Sequence, residues 1–349
     1  MLADRLASQL LSGPPAASAE QVAERLLAIQ AQDPRGARLA VRARTAGLTA
    51  AAVDRTLNER SLLITWLGRG TLHLVRVEDY PWLHALTTPP LHAGSARRLA
   101  QEGVSPDAAE RGVQAIERAL AQAGPLTRAE LRERVDAAGV RTHGQALVHV
   151  LLLASLRGLI VRGPMIGSEH AFVLVRDWLG EPPAVDRDRA LPELARRYVA
   201  GHGPADDRDL AKWAGLPLRD ARAGLAAIAT ELVERPDGLL DLRARVRSNG
   251  LPPPRLLGAF DPLLLGWCSR DVVVQGHKGI VTTNGIFRPF ALVDGRAAAT
   301  WSLRAGRVAI EPFAPLAAAA AAALEADARD VERFLQAPER SAGTGRDAR

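Results

Sequence analysis

One pattern recurs three times along the chain: helices with a single apolar face, followed by a pair of short strands closed by glycine. In the first copy, residues 4–11, 19–29 and 49–60 read as helices. Val22, Leu26 and Ile29 fall on one face, and Thr49 stands where an N-cap belongs. Residues 63–76, LITWLGRGTLHLVR, then switch to β-branched and aromatic residues around Gly68 and Gly70, the signature of a hairpin. The second copy runs through helices at 108–123, 128–138 and 144–157, with Thr127 as N-cap and Glu130 behind it. Its strands lie at 160–175. The third has helices at 191–200, 206–214 and 217–231 and a strand pair around Asp237-Gly238. Three helices and a hairpin outline a winged helix. The third copy also spells a helix-turn-helix over residues 209–228. Ala221, Leu225 and Ile228 face inward there, and Arg219 and Arg222 face outward, where a second helix meets a major groove.

Beyond Leu251-Pro252-Pro253-Pro254 the pattern turns to short strands, at 255–260, 272–274, 286–293, 297–303 and 308–311. Turn signals at Asp294-Gly295 and Ala305-Gly306 separate the last of them. This predicts a small antiparallel β-barrel or else a compact antiparallel sheet, closed by an alanine-rich helix over 316–335. The expected class is α+β, mainly α, with three tandem winged-helix units. The expected divisions are 1–90, 91–180, 181–250 and 251–336, with a disordered tail at 337–349.

Composition narrows the partners. The chain carries a formal charge of +6 and a pI near 10.4, which favours an anionic partner. Only Lys212 and Lys278 are lysines among 45 basic residues, so part of that pI reflects arginine usage alone. The sole cysteine, Cys268, excludes an intramolecular disulfide and a thiolate zinc site, and the eight histidines show no metal-ligand spacing. No metal or cofactor is expected. The longest apolar stretch, residues 146–156, is interrupted by His149 and is too short to cross a bilayer. The N-terminus has no signal-peptide pattern, so a cytoplasmic, nucleoid-associated protein is expected.

Six stretches, in order, resemble the AlkZ-type winged-helix DNA glycosylases: LLAIQAQDPRGARLAVRAR (26–44), SLLITWLGRGTLHLV (61–75), EDYPWLHAL (78–86), WAGLPLRDAR (213–222), LLGAFDPLLLGW (256–267) and NGIFRPFALVDGRAAATW (284–301). The resemblance implies tandem winged helices and a barrel curved around a basic DNA channel. It implies a catalytic Gln-Φ-Gln tripeptide, here Gln30-Ala31-Gln32 with a small Φ residue. It also implies removal of N7-alkylguanine from double-stranded DNA, some members unhooking interstrand crosslinks, in DNA repair or in self-resistance to alkylating natural products.

Two glutamines suffice for that chemistry if the base is already cationic. An N7-alkylated guanine leaves without a general acid, so the amides need only orient a water and contact base or phosphate. The spacing is awkward on a helix, where i and i+2 point about 200° apart. A broken helix end just before Asp33-Pro34 is the expected remedy. Asp33 is read as an electrostatic stabiliser of the sugar, or simply as the start of the turn. Thr65, Arg69, Thr71 and His73 of the hairpin are expected to line the site, with His73 equally readable as a packed strand histidine. Arg35, Arg38 and Arg42, with Arg44 after them, suggest a phosphate-binding stripe or a solvated arginine face; Arg69, Arg219, Arg222, Lys278 and Arg288 are further expected DNA contacts. Asp261 is read as fixing its own loop. No lysine adjoins the tripeptide to form a Schiff base, which predicts a monofunctional enzyme. A lesion enzyme with little sequence preference is expected to bind as a monomer. The alternative from the same pattern is a non-enzymatic winged-helix DNA binder, either a regulator or a lesion binder.

Overall fold

The computed structural model describes residues 1–245, 250–282 and 284–336. The tail predicted at 337–349 lies outside the described residues. The hairpins of the first two copies do not stand apart. Strands β1 (Ile29–Gln30), β2 (Leu62–Leu67), β3 (Thr71–Arg76), β4 (Ile160–Ile166) and β5 (Glu169–Leu174) form one sheet in the order β1-β3-β2-β4-β5. The two hairpins join where Ile64 pairs with Arg162. The third pair, β6 (Leu232–Glu234) and β7 (Leu240–Leu242), remains a separate ribbon.

The centre of this sheet is buried on both faces, which explains why β2 reads as a continuous apolar run rather than an alternation. Side chains alternate across a strand. Ile64, Trp66, Leu72, Leu74 and Phe172 therefore enter one core, shared with helices Pro106–Ala123 and Ala146–Leu156. Leu63, Leu67, Val75, Val161 and Val173 enter a second core, shared with helices Arg187–His202, Asp207–Ala214 and Leu218–Ala227. Local signals set most helix starts. Thr127 accepts from the Glu130 amide while Glu130 accepts from the Thr127 amide, a complete capping box.

The C-terminal sheet corrects the barrel expectation. Strands β8 (Arg255–Leu257), β9 (Phe290–Val293), β10 (Arg296–Arg304) and β11 (Arg307–Pro312) make an open antiparallel sheet in the order β11-β10-β9-β8. Among the described residues β8 and β11 do not pair, so it does not close. The strand expected at 272–274 is instead a short helix, Asp271–Val274, ended by Gln275 and Gly276 at positive φ. Burial of Val273 and Val274 overrides their β-propensity. Helix Ala318–Leu335 covers the open edge instead: Glu332 accepts from the Val308 amide at 2.9 Å.

The expected arginine stripe is largely internal wiring. Arg42 is buried and bonds Asp327 and Asp330 of the C-terminal helix. Arg38 is half-buried and bonds Asp54 at 2.6 Å. Arg44 and Asp261 form a fully buried two-pronged pair at 2.8 and 2.9 Å. Asp261 also accepts from the Leu263 amide, so it does fix its loop. Of the stripe, Arg35 alone is exposed.

Candidate active site

Helix Ala19–Leu26 ends on Leu27, whose φ of 65° and ψ of −46° place it in a tight turn where the Ala28 amide donates to the Leu26 carbonyl at 2.7 Å. A leucine in this conformation is strained, and such strain concentrates near functional sites. The turn delivers the chain into β1, where Ile29 pairs with Leu74 and Gln30 with His73. The Ala31 amide continues the ladder to the Leu72 carbonyl. Gln30 therefore sits on a strand and Gln32 on the bend that follows it, not on the helix end the sequence suggested. Off the helix the 200° separation no longer applies, and the two side chains meet. The Gln30 Nε2 donates to the Gln32 Oε1 at 2.9 Å, with Gln30 buried and Gln32 exposed.

Asp33 does not join them. Its carboxylate accepts from the Arg35 and Gly36 amides at 2.9 and 3.1 Å and caps helix Pro34–Arg42, the simpler of its two readings. His73 and Thr65 continue the Gln30 row across the sheet, since Gln30 pairs with His73 and His73 with Thr65. Both are buried behind the glutamines. Thr65 shares a hydrogen bond with Ser155 at 3.0 Å. His73 Nδ1 lies 2.9 Å from the Thr71 carbonyl, the geometry of an Nδ1–H donor.

Burial, and then the charge of Arg69, push the His73 imidazole down to about 3. His170 and His202 are likewise pushed to about 3, each chiefly by burial. All three are neutral in the folded protein at neutral pH. The unfolded chain protonates them below the ordinary value of 6.5. Their contribution to stability is thus lost as pH falls from about 6.5 toward 3, by up to about 1.4 kcal/mol per pH unit for each. Urea midpoints should fall steadily between about pH 7 and 5, and a flat profile contradicts the neutral burial of these residues.

The glutamines open onto a cavity of about 190 Å³, which Arg69 and Thr71 of the hairpin also line. Phe260, Phe287 and Trp267 line it too, with Lys212 and Arg270. Phe260 has a φ of 56°, a second strained residue at the site. Close packing holds it there: a Cβ on Gly36 would lie 2.3 Å from the Ala259 carbonyl oxygen, so only glycine lets the helix after Asp33 press against this loop. The Phe260 and Phe287 rings are 5.6 Å apart, and the Arg270 guanidinium lies 5.1 Å from the Phe287 ring. Arg69 donates to the carbonyls of Lys212 and Trp213 at 3.0 and 2.7 Å, capping the end of helix Asp207–Ala214. The helix-turn-helix is thereby seated on the tip of the first hairpin, where Gly215 meets Gly68.

Two expectations change here. Lys212 lines the same cavity as the glutamines, so the sequence argument against a nearby amine fails. Residues 182 positions apart in the chain become neighbours only through the fold. The aromatic wall was also missed. Phe260, Trp267 and Phe287 all lie in two of the stretches that carried the resemblance, in a chain only 4% aromatic, and that scarcity was the available signal. Of the other expected DNA contacts, Arg219 and Arg222 are exposed and paired with Asp220 and Asp207. Lys278 is exposed, and Arg288 lines a separate cavity with Arg304 and Glu311.

Amides, aromatic faces and cations around one cavity, beside a helix-turn-helix, are the equipment of a protein that handles nucleobases on a phosphate backbone. Comparison with known proteins makes this specific. The model of the AlkZ-like DNA glycosylases matches residues 23–334. A Streptomyces sahachiroi protein described as an interstrand DNA cross-link repair glycosylase is 30% identical over 364 residues, spanning 94% of each chain. The solved structure of Streptomyces sahachiroi DNA glycosylase AlkZ superposes with a TM-score of 0.75 at 26% identity, covering 95% of each chain. The chain belongs to the AlkZ-like DNA glycosylase family, enzymes that act on N-glycosyl bonds. Among the described residues no helix is long and apolar enough to cross a membrane.

Proposed function

We propose that this protein, as a monomer on double-stranded DNA, hydrolyses the N-glycosidic bond of N7-alkylguanine, including guanine held in an interstrand crosslink. The observation that carries this reading is the hydrogen-bonded pair of Gln30 and Gln32, where a strand ends in a bend, at a cavity with no carboxylate in its lining among the described residues. His73 is neutral, buried and bonded to Thr71. Among the described residues no carboxylic acid and no imidazolium lines the cavity, and its cations, Lys212, Arg69 and Arg270, are read as phosphate contacts, so the substrate brings its own activation. A cationic N7-alkylguanine does so; neutral uracil does not.

In this reading Gln32 Oε1 is engaged by Gln30, and the Gln30 Oε1 accepts from the attacking water and aims it at C1′. Phe260 and Phe287 offer faces to the base, and Arg69, Lys212 and Arg270 offer charge to the flanking phosphates. The cavity is smaller than the ~300–1,000 Å³ that enclose a drug-sized ligand. A bulky adduct, or the second strand of a crosslink, therefore extends outside it. The three helix-and-hairpin repeats are read as winged-helix units, with Arg35, Arg219, Arg222, Lys278 and Arg288 as exposed contacts along the duplex. Self-resistance to an alkylating natural product is the setting this substrate suggests.

A duplex crosslinked through guanine N7 by a nitrogen mustard tests the proposal. The protein should convert the slow-migrating crosslinked species on a denaturing gel into separated strands. Uracil-containing duplex should stay intact even after alkaline cleavage of abasic sites. Unchanged crosslinks together with released uracil contradict the proposed substrate.

A further inference from the structure

The chain has two lysines, and one of them, Lys212, lines the cavity that holds Gln30 and Gln32. Every other basic side chain is arginine, whose guanidinium stays protonated and cannot act as a nucleophile. An amine is therefore a chemically distinct group at this site. The Lys212 Nζ donates to the Cys268 carbonyl at 3.1 Å, which holds it on the wall formed by Trp267. No ion pair joins it to a carboxylate among the described residues. The cations beside it, Arg69 and Arg270, line the same cavity and suit a departing phosphate.

We infer that Lys212 acts on the abasic product as a β-lyase, after water has displaced the base. This rests on reading the cavity as the glycosidic site. The ring-opened abasic sugar presents an aldehyde at C1′. The Lys212 amine adds to it and water leaves, giving a protonated imine. That cation acidifies C2′; a water takes the C2′ proton, and its electron pair forms the C2′–C3′ double bond. The C3′–O bond breaks, and the 3′ phosphate departs as a monoester on the downstream strand. Water then hydrolyses the imine, returning the amine and leaving an unsaturated aldehyde on the upstream strand. No oxidant or reductant is consumed.

The test uses a duplex in which a separate uracil glycosylase has already made the abasic site. Its result therefore does not depend on release of an alkylated base by this protein. The full chain is incubated with this duplex, with and without sodium borohydride, which reduces the imine to a stable amine. The expected results are strand scission without borohydride and a covalent protein–DNA species with it, mapped by peptide mass spectrometry to Lys212. The only other amines are Met1 and Lys278, so the mapping is unambiguous. Lys212→Arg should lose both scission and the adduct, and mapping on the unaltered protein stands even if that variant folds poorly. No adduct, an adduct on Met1 or Lys278, or an adduct without scission overturns the inference. An adduct on Lys212 in a protein that releases no alkylated base overturns the proposed function instead.

Discussion

Gln30→Ala combined with Gln32→Ala should abolish release of N7-alkylguanine while leaving duplex binding within a few-fold of the parent. The two amides are bonded to each other, so each single change disturbs both, and the effects should not add. Losing the group that orients water commonly removes ~10²–10⁴ in rate. Their removal leaves the fold largely intact. Gln32 is exposed, and the β1 pairing to β3 uses backbone atoms that alanine keeps. Binding should persist because the exposed arginines lie elsewhere. Single-turnover release by mass spectrometry, with binding measured by fluorescence anisotropy, separates the two effects. Full activity in the double variant contradicts the assignment of the site.

Asp261→Ala should lower stability by about 3–5 kcal/mol, because it leaves the Arg44 guanidinium buried without its counter-charge. Both side chains have zero exposure. Arg44 also donates to Gln9 and Ala40, so it is fixed in place and cannot turn to solvent. Replacing both, as Arg44→Met with Asp261→Leu, should be far milder than the single change, since no orphan charge remains. Urea unfolding of the four members of this cycle measures the difference, with an unchanged slope marking a true stability effect. Equal losses in the single and double variants contradict the account. Asp261 directly follows Phe260, so the single variant should also weaken base release.

What the sequence makes legible here follows the range of the interactions. Thr49, Thr127 and Asp206 cap helices through neighbours three residues away, and each start is readable locally. The hairpin at Gly68 and Gly70 is readable for the same reason. The Gln-Ala-Gln segment is legible by resemblance, yet its place at the end of a strand is not. The turn before it is made by a leucine, a residue that signals no turn, held there by burial in the second core. Arg38 and Arg42 have the spacing of a surface stripe, and their partners identify them as clamps. Asp327 and Asp330 lie more than 280 residues away from Arg42. The cavity itself joins segments near residues 30, 70, 212, 260 and 287, which no local pattern can assemble. Val272–Val274 read as a strand, and the barrel expectation fell with it.

The central claim is that this chain cuts a glycosidic bond whose leaving base is already cationic. Incubating the purified protein with N7-methylated duplex DNA and analysing the supernatant by liquid chromatography and mass spectrometry tests it most directly. The account predicts free N7-methylguanine from the unaltered protein and none above background from the Gln30, Gln32 double variant. Binding of the methylated duplex with no free base from the unaltered protein would contradict it.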